Sequence, residues 1–301
     1  MLSFLNRLKS ITRLSIQPPV PNPERHGIAI VAIVKNEAKY ISEWATFHFN
    51  AGVRHFYIYD NGSTDETCDV LLDCLPENAA TIIPWSQVLK PANSQQIIHN
   101  QVLAYAHAAS NFGGGYRWMA FIDIDEFIVP KQDNSISDAL QSLSGCHNIS
   151  LPWHMFGTSG HETAPFGSVL ENYRQRYANA SDFNSGLVNY KCIVDPCSLT
   201  TIRVHSMQTN GEWLTCNDVG FQVKTKNRNT EAFYSSEKLQ LNHYYTRSKA
   251  EYIAKINKGH ILQNRSARYT KKLPRLLIKI DSDVIEDTSA ILFLERIGAM
   301  D

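Results

Sequence analysis

The chain has 301 residues, of which 43% are hydrophobic and 19% charged, and 29 lysine and arginine residues balance 29 aspartate and glutamate residues. This composition excludes a disordered chain, and the length suits one large domain or two small ones. Because the charge balance gives no bulk attraction to nucleic acid, we expect no nucleic-acid partner and expect any anionic ligand to be captured locally.

The first 16 residues carry a short basic amphipathic pattern. Leucine and isoleucine recur at helical spacing from Leu2 to Leu14, with Arg7, Lys9 and Arg13 between them. The segment lacks the continuous apolar core of a signal peptide. We expect it to lie on an anionic membrane surface or, alternatively, to be a frayed arm or a helix docked on the domain. With the proline-rich linker at 17–23, it forms an N-terminal arm over residues 1–26.

Strands alternate with helices from residue 28 to residue 122. Apolar, β-branched runs predict strands at 28–34, 56–59, 81–83 and 118–122. Helical patterns separate them: one at 41–51, one after a Ser63-x-x-Glu66 capping box, and one at 94–110. This alternation predicts an α/β fold with a mixed, mostly parallel sheet flanked by helices, and ligands outside the carboxyl ends of the strands.

After Pro130, short strand-like runs alternate with polar loops, at 148–151, 187–194, 202–204 and 239–244. We expect them to complete one domain that covers residues 27–260. A second capping box, Ser248-x-x-Glu251, predicts a helix that ends near Gly259. Residues 261–301 then form a C-terminal helical tail, which is basic from Arg265 to Lys279.

The six cysteines contain no close Cys-x-x-Cys pair, and Cys192 and Cys197 are too far apart for a zinc knuckle. We therefore predict free thiols in a reducing compartment. No apolar run in the sequence reaches the roughly 18 residues that a membrane-spanning helix needs.

Polar residues follow three of the predicted strands: Asn36 and Glu37, Asp60 and Asn61, and the acidic run that begins at Asp123. Because the carboxyl ends of parallel strands meet at one edge of a sheet, we expect these side chains to lie close together.

The acidic run places Asp123, Asp125 and Glu126 directly after an apolar strand. Buried carboxylates need compensation, and Mg²⁺ or Mn²⁺ commonly bridges such groups to substrate phosphates. The pattern predicts a site for a metal and a diphosphate, although Asp-x-Asp alone is more typical of a solvated turn. We expect Asp125 to bind the metal, Asp123 to bind it directly or through water, and Glu126 to support them.

Four stretches carry a family resemblance: residues 34–53, which begin Val34-Lys-Asn-Glu; 55–65, which contain Tyr-Asp60-Asn-Gly; 118–127; and His243-Tyr244 followed by Lys255-x-x-x-Gly259. Trp153-x-x-Phe156-Gly157 and Lys191-x-Ile193-Val194-x-Pro196 fit the same pattern. The order and spacing of these stretches, from about residue 28 to 260, resemble glycosyltransferases of the GT-A type. The similarity is greatest to glycosyltransferase family 92 and its bacterial relatives.

The resemblance implies inverting transfer of a hexose from a nucleotide-sugar, most often a UDP-sugar, with Mn²⁺ or Mg²⁺. The acceptor would be a glycan or glycolipid in polysaccharide or lipopolysaccharide assembly. Eukaryotic members carry a membrane anchor and luminal disulfides, and this sequence shows neither clearly. We therefore expect a cytoplasmic enzyme, with residues 1–16 as its contact with the inner face of the membrane.

His243 is the implied third metal ligand; the alternative is a histidine hydrogen-bonded within a strand. Asp60 resembles the residue that binds the base or ribose of the donor, and it could also cap the following turn, which Asn61 could simply shape. The residues expected to bind the donor are Val34, Lys35, Glu37, Asp60, Asn61, Gln101 and Asp123.

An inverting transfer needs a base that takes the proton of the acceptor hydroxyl. The candidates are Glu162 and Asp218, which rank slightly ahead, and Glu212, and the sequence does not settle the choice. Trp153 and Trp213 could stack on sugar rings or pack in the core.

Two other functions are weighed against this one. A nucleotidyltransferase would usually have a glycine-rich phosphate loop after the first strand, where this chain has Lys35-Asn-Glu37. An inactive scaffold protein is disfavoured by the intact Asp123, Asp125 and His243.

Overall fold

The computed structural model describes residues 10–94, 96–263 and 275–300, and for residues 258–263 it describes the backbone alone. The helices are α1 (Ile41–Asn50), α2 (Thr67–Cys74), α3 (Asn100–Phe112), α4 (Ile136–Gln141), α5 (Val169–Asn172), α6 (Lys249–Gln263) and α7 (Ser289–Arg296). The strands are β1 (Leu14–Ser15), β2 (Ile28–Val34), β3 (Val53–Asp60), β4 (Ala80–Pro84), β5 (Trp118–Phe121), β6 (Glu126–Pro130), β7 (Asn148–Met155), β8 (Gln175–Tyr177), β9 (Tyr190–Val194), β10 (Leu199–Ile202), β11 (Met207–Thr209), β12 (Leu214–Cys216), β13 (Gln222–Lys224), β14 (Leu239–His243) and β15 (Val284–Glu286).

A ten-stranded mixed sheet forms the centre of the molecule, in the order β13-β12-β7-β9-β5-β2-β3-β4. In addition, β14 pairs with β7, and β6 pairs with β14. Strands β5, β2, β3 and β4 are parallel neighbours, while β9 runs antiparallel to both β5 and β7. This arrangement confirms the predicted α/β class and mixed sheet.

Strand β2 is buried on both faces. Ile28, Ile30 and Ala32 pack with α1 in one apolar cluster, whereas Ala29 and Val31 pack with α3 in a second cluster on the other face. Side chains alternate along a strand, so helices on both sides of the sheet require a continuous apolar run. The predicted buried parallel strand is therefore confirmed, and its carboxyl end lies in the middle of the sheet edge, between β5 and β3.

The two predicted capping boxes have different outcomes. Ser248 and Glu251 bond reciprocally, since the Ser248 N–H donates to Glu251 Oε2 at 3.1 Å and the Glu251 N–H donates to Ser248 Oγ at 3.3 Å. The Ser63 box is wrong, because Ser63 Oγ accepts the Asn36 N–H instead. Helix α2 begins later, at Thr67, whose N–H is accepted by Asp65.

The predicted helix at 94–110 begins later than expected, at Asn100. Ile98 forms a bridge with Ile11, and the His99 N–H donates to the Ile11 carbonyl at 2.9 Å. These bonds to the N-terminal segment hold residues 98 and 99 extended, where periodicity alone favours a helix.

Residues 11–16 are not the expected amphipathic helix. Leu14 and Ser15 form β1 and pair antiparallel with β10, and Leu14 and Ile16 pack on the second apolar cluster. The helical spacing is wrong for this part because backbone pairing determines its conformation; residues 1–9 lie outside the described residues. The linker that follows also contacts the domain, since the Asn22 N–H donates to the Gly114 carbonyl.

The C-terminal region contributes to the same core. Strand β15 pairs with β8, and Phe293 of α7 is fully buried at 5.5 Å from the ring of Phe47. The expected basic tail falls largely outside the described residues, at 264–274. In the described part of the chain, every helix is too short or too polar to traverse a bilayer.

The prediction of six free thiols is wrong. Cys146 and Cys216 form a disulfide, whereas Cys68, Cys74, Cys192 and Cys197 are free. The two bonded residues are separated by 70 positions, so spacing along the sequence could not pair them. They meet because β7 and β12 are parallel neighbours.

Candidate active site

The three polar sequences predicted to follow strands do meet at one edge of the sheet. Val34 at the end of β2 pairs with Asp60 at the end of β3, and β5 lies on the other side of β2. The turn that carries Asp123 and Asp125 connects β5 to β6. The site therefore lies where a parallel sheet normally presents ligand-binding residues.

Asp123 is held by two side chains from different elements. Its Oδ2 accepts from the Lys191 ammonium at 2.8 Å, and its Oδ1 accepts from the Gln101 amide at 2.7 Å. Gln101 also donates to the Tyr105 hydroxyl. The carboxylate remains 36% exposed, so it is oriented by the protein but still open to a ligand.

Lys191 is a buried cation at the centre of this cluster. Its ammonium lies 2.8 Å from Asp123 and 3.3 Å from Glu126. Burial acts to lower the pKa of Lys191, but the two carboxylates hold this pKa well above its usual value. Lys191 therefore places a cation beneath the acidic turn.

Glu126 supports the acidic turn from inside the protein. Its side chain is fully buried, and it accepts hydrogen bonds from the Asp123 N–H at 2.8 Å and from the Trp153 indole at 2.6 Å. These bonds fix the backbone of the turn, which is the supporting position predicted for Glu126.

Asp125 faces a second pair of basic groups. Its Oδ2 accepts from the Lys255 ammonium at 2.6 Å, and its Oδ1 lies 3.4 Å from His243 Nε2. Burial acts to raise the pKa of Asp125, but Lys255 and His243 hold this pKa well below its usual range. Burial also lowers the pKa of His243. The ring of His243 lies 4.3 Å from that of Trp153.

The described residues contain no group of three or more histidine, cysteine or acidic side chains that could hold a metal ion. The pair of Asp125 Oδ1 and His243 Nε2 nevertheless fits a divalent ion. Two neighbouring octahedral ligands at 2.0–2.1 Å from a metal lie about 3 Å apart, close to the 3.4 Å observed here. Such ions often take only one or two protein ligands and complete their shell with phosphate and water.

The predicted donor-binding residues form a linked set of turns beside this cluster. Asp60 Oδ1 accepts the Ser63 N–H at 2.9 Å, and the Asn61 N–H donates to the Val34 carbonyl at 2.8 Å. Asp60 thus caps its turn, which is one of the two roles expected of it. Lys35 is exposed, and Glu37 lies 3.7 Å from Arg247. The binding of a donor by these residues remains a prediction.

The three predicted bases lie in different places. Glu162 is exposed and bonds to Lys249 at the start of α6. Asp218 is fully buried and accepts the N–H groups of Lys238 and Leu239, at the opposite end of β14 from His243. Glu212 is exposed in the turn before β12 and faces a separate cavity. The structure therefore brings neither Asp218 nor Glu212 into the carboxylate cluster.

Two lysines of the cluster, Lys191 and Lys255, were not predicted to be functional, although both belong to stretches that carry the resemblance. Lys191 had a signal of its own, because a lysine within the apolar strand Tyr190–Val194 needs a buried partner. Lys255 had none, since it is one of several charged residues on a polar helix.

Comparisons with known proteins agree on one family. A model of glycosyltransferase family 92 matches residues 28–274. A family 92 protein of Ricinus communis is 28% identical over 182 residues, and one of Oryza sativa subsp. japonica is 29% identical over 183 residues. Each match covers 56% of this chain and 31% or 29% of the relative. The chain thus spans about a third of the length of the curated relatives it matches.

Two solved structures are weakly similar. S. aureus TarS 1–349 in complex with UDP aligns over 56% of this chain and 47% of that chain, with 14% identity and a TM-score of 0.32. A mycobacterial protein aligns over 43% of this chain and 41% of that chain, with 19% identity and a TM-score of 0.30.

Proposed function

Because the chain belongs to glycosyltransferase family 92, we propose that it transfers a hexose from a nucleotide-sugar, a UDP-sugar in the first instance, to a glycan or lipid-linked acceptor. The observation that carries this proposal is the cluster of Asp123 and Asp125 at the carboxyl end of β5, with Lys191 and Lys255 bonded to them. Polysaccharide or lipopolysaccharide assembly is the pathway class that the family resemblance suggests.

The charges of the cluster suit a diphosphate leaving group. Negative charge develops on the diphosphate as the sugar departs, and preorganised cations lower the energy of that state. Lys255 is anchored on Asp125 and on the Tyr245 carbonyl, which orients its ammonium before a ligand arrives. Asp125 and His243, with Asp123 through water, would hold Mn²⁺ or Mg²⁺. That ion supplies Lewis-acid stabilisation of the diphosphate when bound.

Inversion at the anomeric carbon requires a base on the acceptor side. Of the three candidates, Glu162 suits this role best, because its side chain is 72% exposed and lies on the loop beside the start of α6. Asp218 is unsuitable in its observed position because its carboxylate binds two backbone N–H groups in the interior. We propose Glu162 as the base.

The cellular location of the protein is inferred from the N-terminal segment and from the disulfide. A membrane contact would now depend on residues 1–9, because residues 11–16 pack on the domain. The Cys146–Cys216 disulfide favours an oxidising compartment. This pairing argues against the reducing, cytoplasmic location expected from the sequence.

The proposed donor site is tested by calorimetry with UDP, GDP, CMP and ADP, with and without Mn²⁺. We expect tight, Mn²⁺-dependent binding of UDP. Asp125→Asn should weaken this binding at least about tenfold, because the loss of even an outer-shell partner of a metal ligand typically costs about 10–100-fold in metal affinity. Asp73→Asn, at an exposed carboxylate of α2, is the matched control and should bind as the wild type does.

Two results would contradict the proposal. A folded wild-type protein that binds none of the four nucleotides would remove the donor site. Equal Mn²⁺-dependent binding by Asp125→Asn would remove Asp125 from it.

A further inference from the structure

A cavity of about 640 Å³ opens beside β12 and β13. Five cationic side chains line it, and a single carboxylate, that of Glu212, faces them. The cations are Arg13, Arg203, Lys224, Lys226 and Arg228. Within the part of the chain that the structure describes, none of the five has a carboxylate partner within 4.0 Å.

This excess of charge is local. The whole chain has a formal net charge of zero, so the cavity is not part of a broadly basic surface. Unpaired cations that converge on one concave space are expensive to bring together, because they repel one another. An anionic ligand would offset that repulsion. A cavity of this volume suits a small ligand of one or two sugar units, whereas a membrane would contact a flat surface.

The guanidinium groups are held in place by aromatic rings. Arg13 and Arg203 lie 5.6 and 5.3 Å from the centre of the Trp213 ring. Arg228 lies 4.1 Å from the ring centre of Tyr190, donates to Ser150 Oγ and accepts the Tyr190 hydroxyl on its carbonyl. Guanidinium groups held on rings keep their donors free for a planar carboxylate or a phosphate.

One turn joins the cavity to the carboxylate cluster. The residues between β10 and β11 present Arg203 and Ser206 to the cavity and His205 to the ring of Trp153, at 5.3 Å. The Trp153 indole in turn donates to Glu126. Two residues considered above for the acceptor side, Glu212 and Trp213, also line the cavity.

We infer that this basic cavity is the acceptor subsite and that it binds an anionic substituent, a carboxylate or a phosphate, of the acceptor glycan. The assignment as an acceptor subsite rests on the proposed glycosyltransferase function. The binding of a charged sugar rests only on the cavity.

The test measures the binding of glucuronic acid, glucose 6-phosphate, glucose and inorganic phosphate to the full chain, by calorimetry and tryptophan fluorescence. We expect the two charged sugars to bind and glucose not to bind. The charged sugar with the higher affinity shows whether the site prefers a carboxylate or a phosphate. Arg203→Gln should weaken the charged sugars by about tenfold, because it removes a charge-assisted hydrogen bond.

Two further variants complete the set. Lys226→Gln, at an exposed residue of the cavity, should weaken binding in the same direction and does not depend on the Trp213 contact. Arg54→Gln is the matched control, since Arg54 also lies 5.3 Å from the centre of an aromatic ring, that of Tyr116, outside the cavity. It should leave binding unchanged.

UDP, measured on the same proteins, separates the two proposals. We expect UDP and the charged sugar to bind together, and UDP affinity to be equal in wild type and Arg203→Gln. Displacement of the sugar by UDP, or phosphate binding as tight as that of the sugars, would overturn the acceptor assignment. So would unchanged sugar binding in both cavity variants. A wild type that binds charged sugars but no nucleotide would refute the proposed function and retain the anion site.

Discussion

At the scale of single residues, Glu126 determines the shape of the candidate site without facing a ligand. It is fully buried, accepts hydrogen bonds from the Asp123 N–H and the Trp153 indole, and lies 3.3 Å from the Lys191 ammonium. A buried carboxyl group that loses a donor carries the full cost of its desolvation. The stability of the acidic turn therefore depends on Trp153, which belongs to a different strand.

Replacement of Trp153 by phenylalanine tests this dependence. Trp153→Phe leaves Glu126 Oε1 without its indole donor at 2.6 Å and should lower the free energy of unfolding by about 1–3 kcal/mol. Urea denaturation measures the change. Trp118→Phe, at a buried indole, controls for the loss of ring volume. Equal losses in the two variants would show that packing alone accounts for the effect.

The residues of the site differ in how far the sequence could predict them. Asp123 and Asp125 follow a buried strand, and the rule for parallel sheets places them at a ligand-binding edge. Lys255 comes from α6, more than a hundred positions later, and only the folded chain brings it to Asp125. For Asp218, the sequence could not show that the carboxylate accepts a hydrogen bond at the start of β14, because the residue lies in a polar loop.

At the scale of elements, the disulfide joins the turn after α4 to β12. Its 70-residue separation closes a long loop, which restricts the unfolded chain. The element pattern of the first half was predictable because β2 and the second half of β3 are continuous apolar runs. The short strands β10 to β13 were not, since each has only three or four residues, and β12 also pairs with the distant β7.

The double variant Cys146→Ser and Cys216→Ser should lower the free energy of unfolding by about 4 kcal/mol, the value expected for a loop of this length. Dithiothreitol should destabilise the wild type by a similar amount and leave the variant unchanged. Thiol titration of the denatured, unreduced protein should find the four free cysteines. A result of six free thiols would contradict the pairing, and Cys68→Ser is the control for loss of a thiol outside the bond.

At the scale of the whole molecule, the N-terminal segment crosses the second face of the sheet. It pairs with β10 at Leu14 and ends at Arg25, whose guanidinium forms two bonds to Asp195. Asp195 is 2% exposed and also lies 3.1 Å from Arg117. This one carboxylate therefore connects the segment to β9 and to the residue before β5.

Replacement of Asp195 by asparagine should reveal that connection through its dependence on pH. Burial acts to raise the pKa of Asp195, but Arg25 and Arg117 lower it below the usual value. A carboxyl group with a lowered folded-state pKa stabilises the protein fully above its unfolded value of about 3.9, and this contribution is lost as pH falls through the folded pKa. Asp195→Asn should thus cost about 3 kcal/mol at pH 7, because it leaves two arginines without their partner.

The loss should shrink as pH falls from about 3.9 through the lowered folded-state pKa, since the unfolded chain and then the folded wild type bind a proton at this carboxyl group, which releases the same arginines. Urea denaturation of wild type, Asp195→Asn and the exposed control Asp73→Asn between pH 7 and pH 3 measures the difference. A loss that stays constant over this range would show that the shape of the side chain matters and its charge does not. Convergence of the two curves at low pH would show that the negative charge of Asp195 holds the N-terminal segment, and with it Arg13, against the domain.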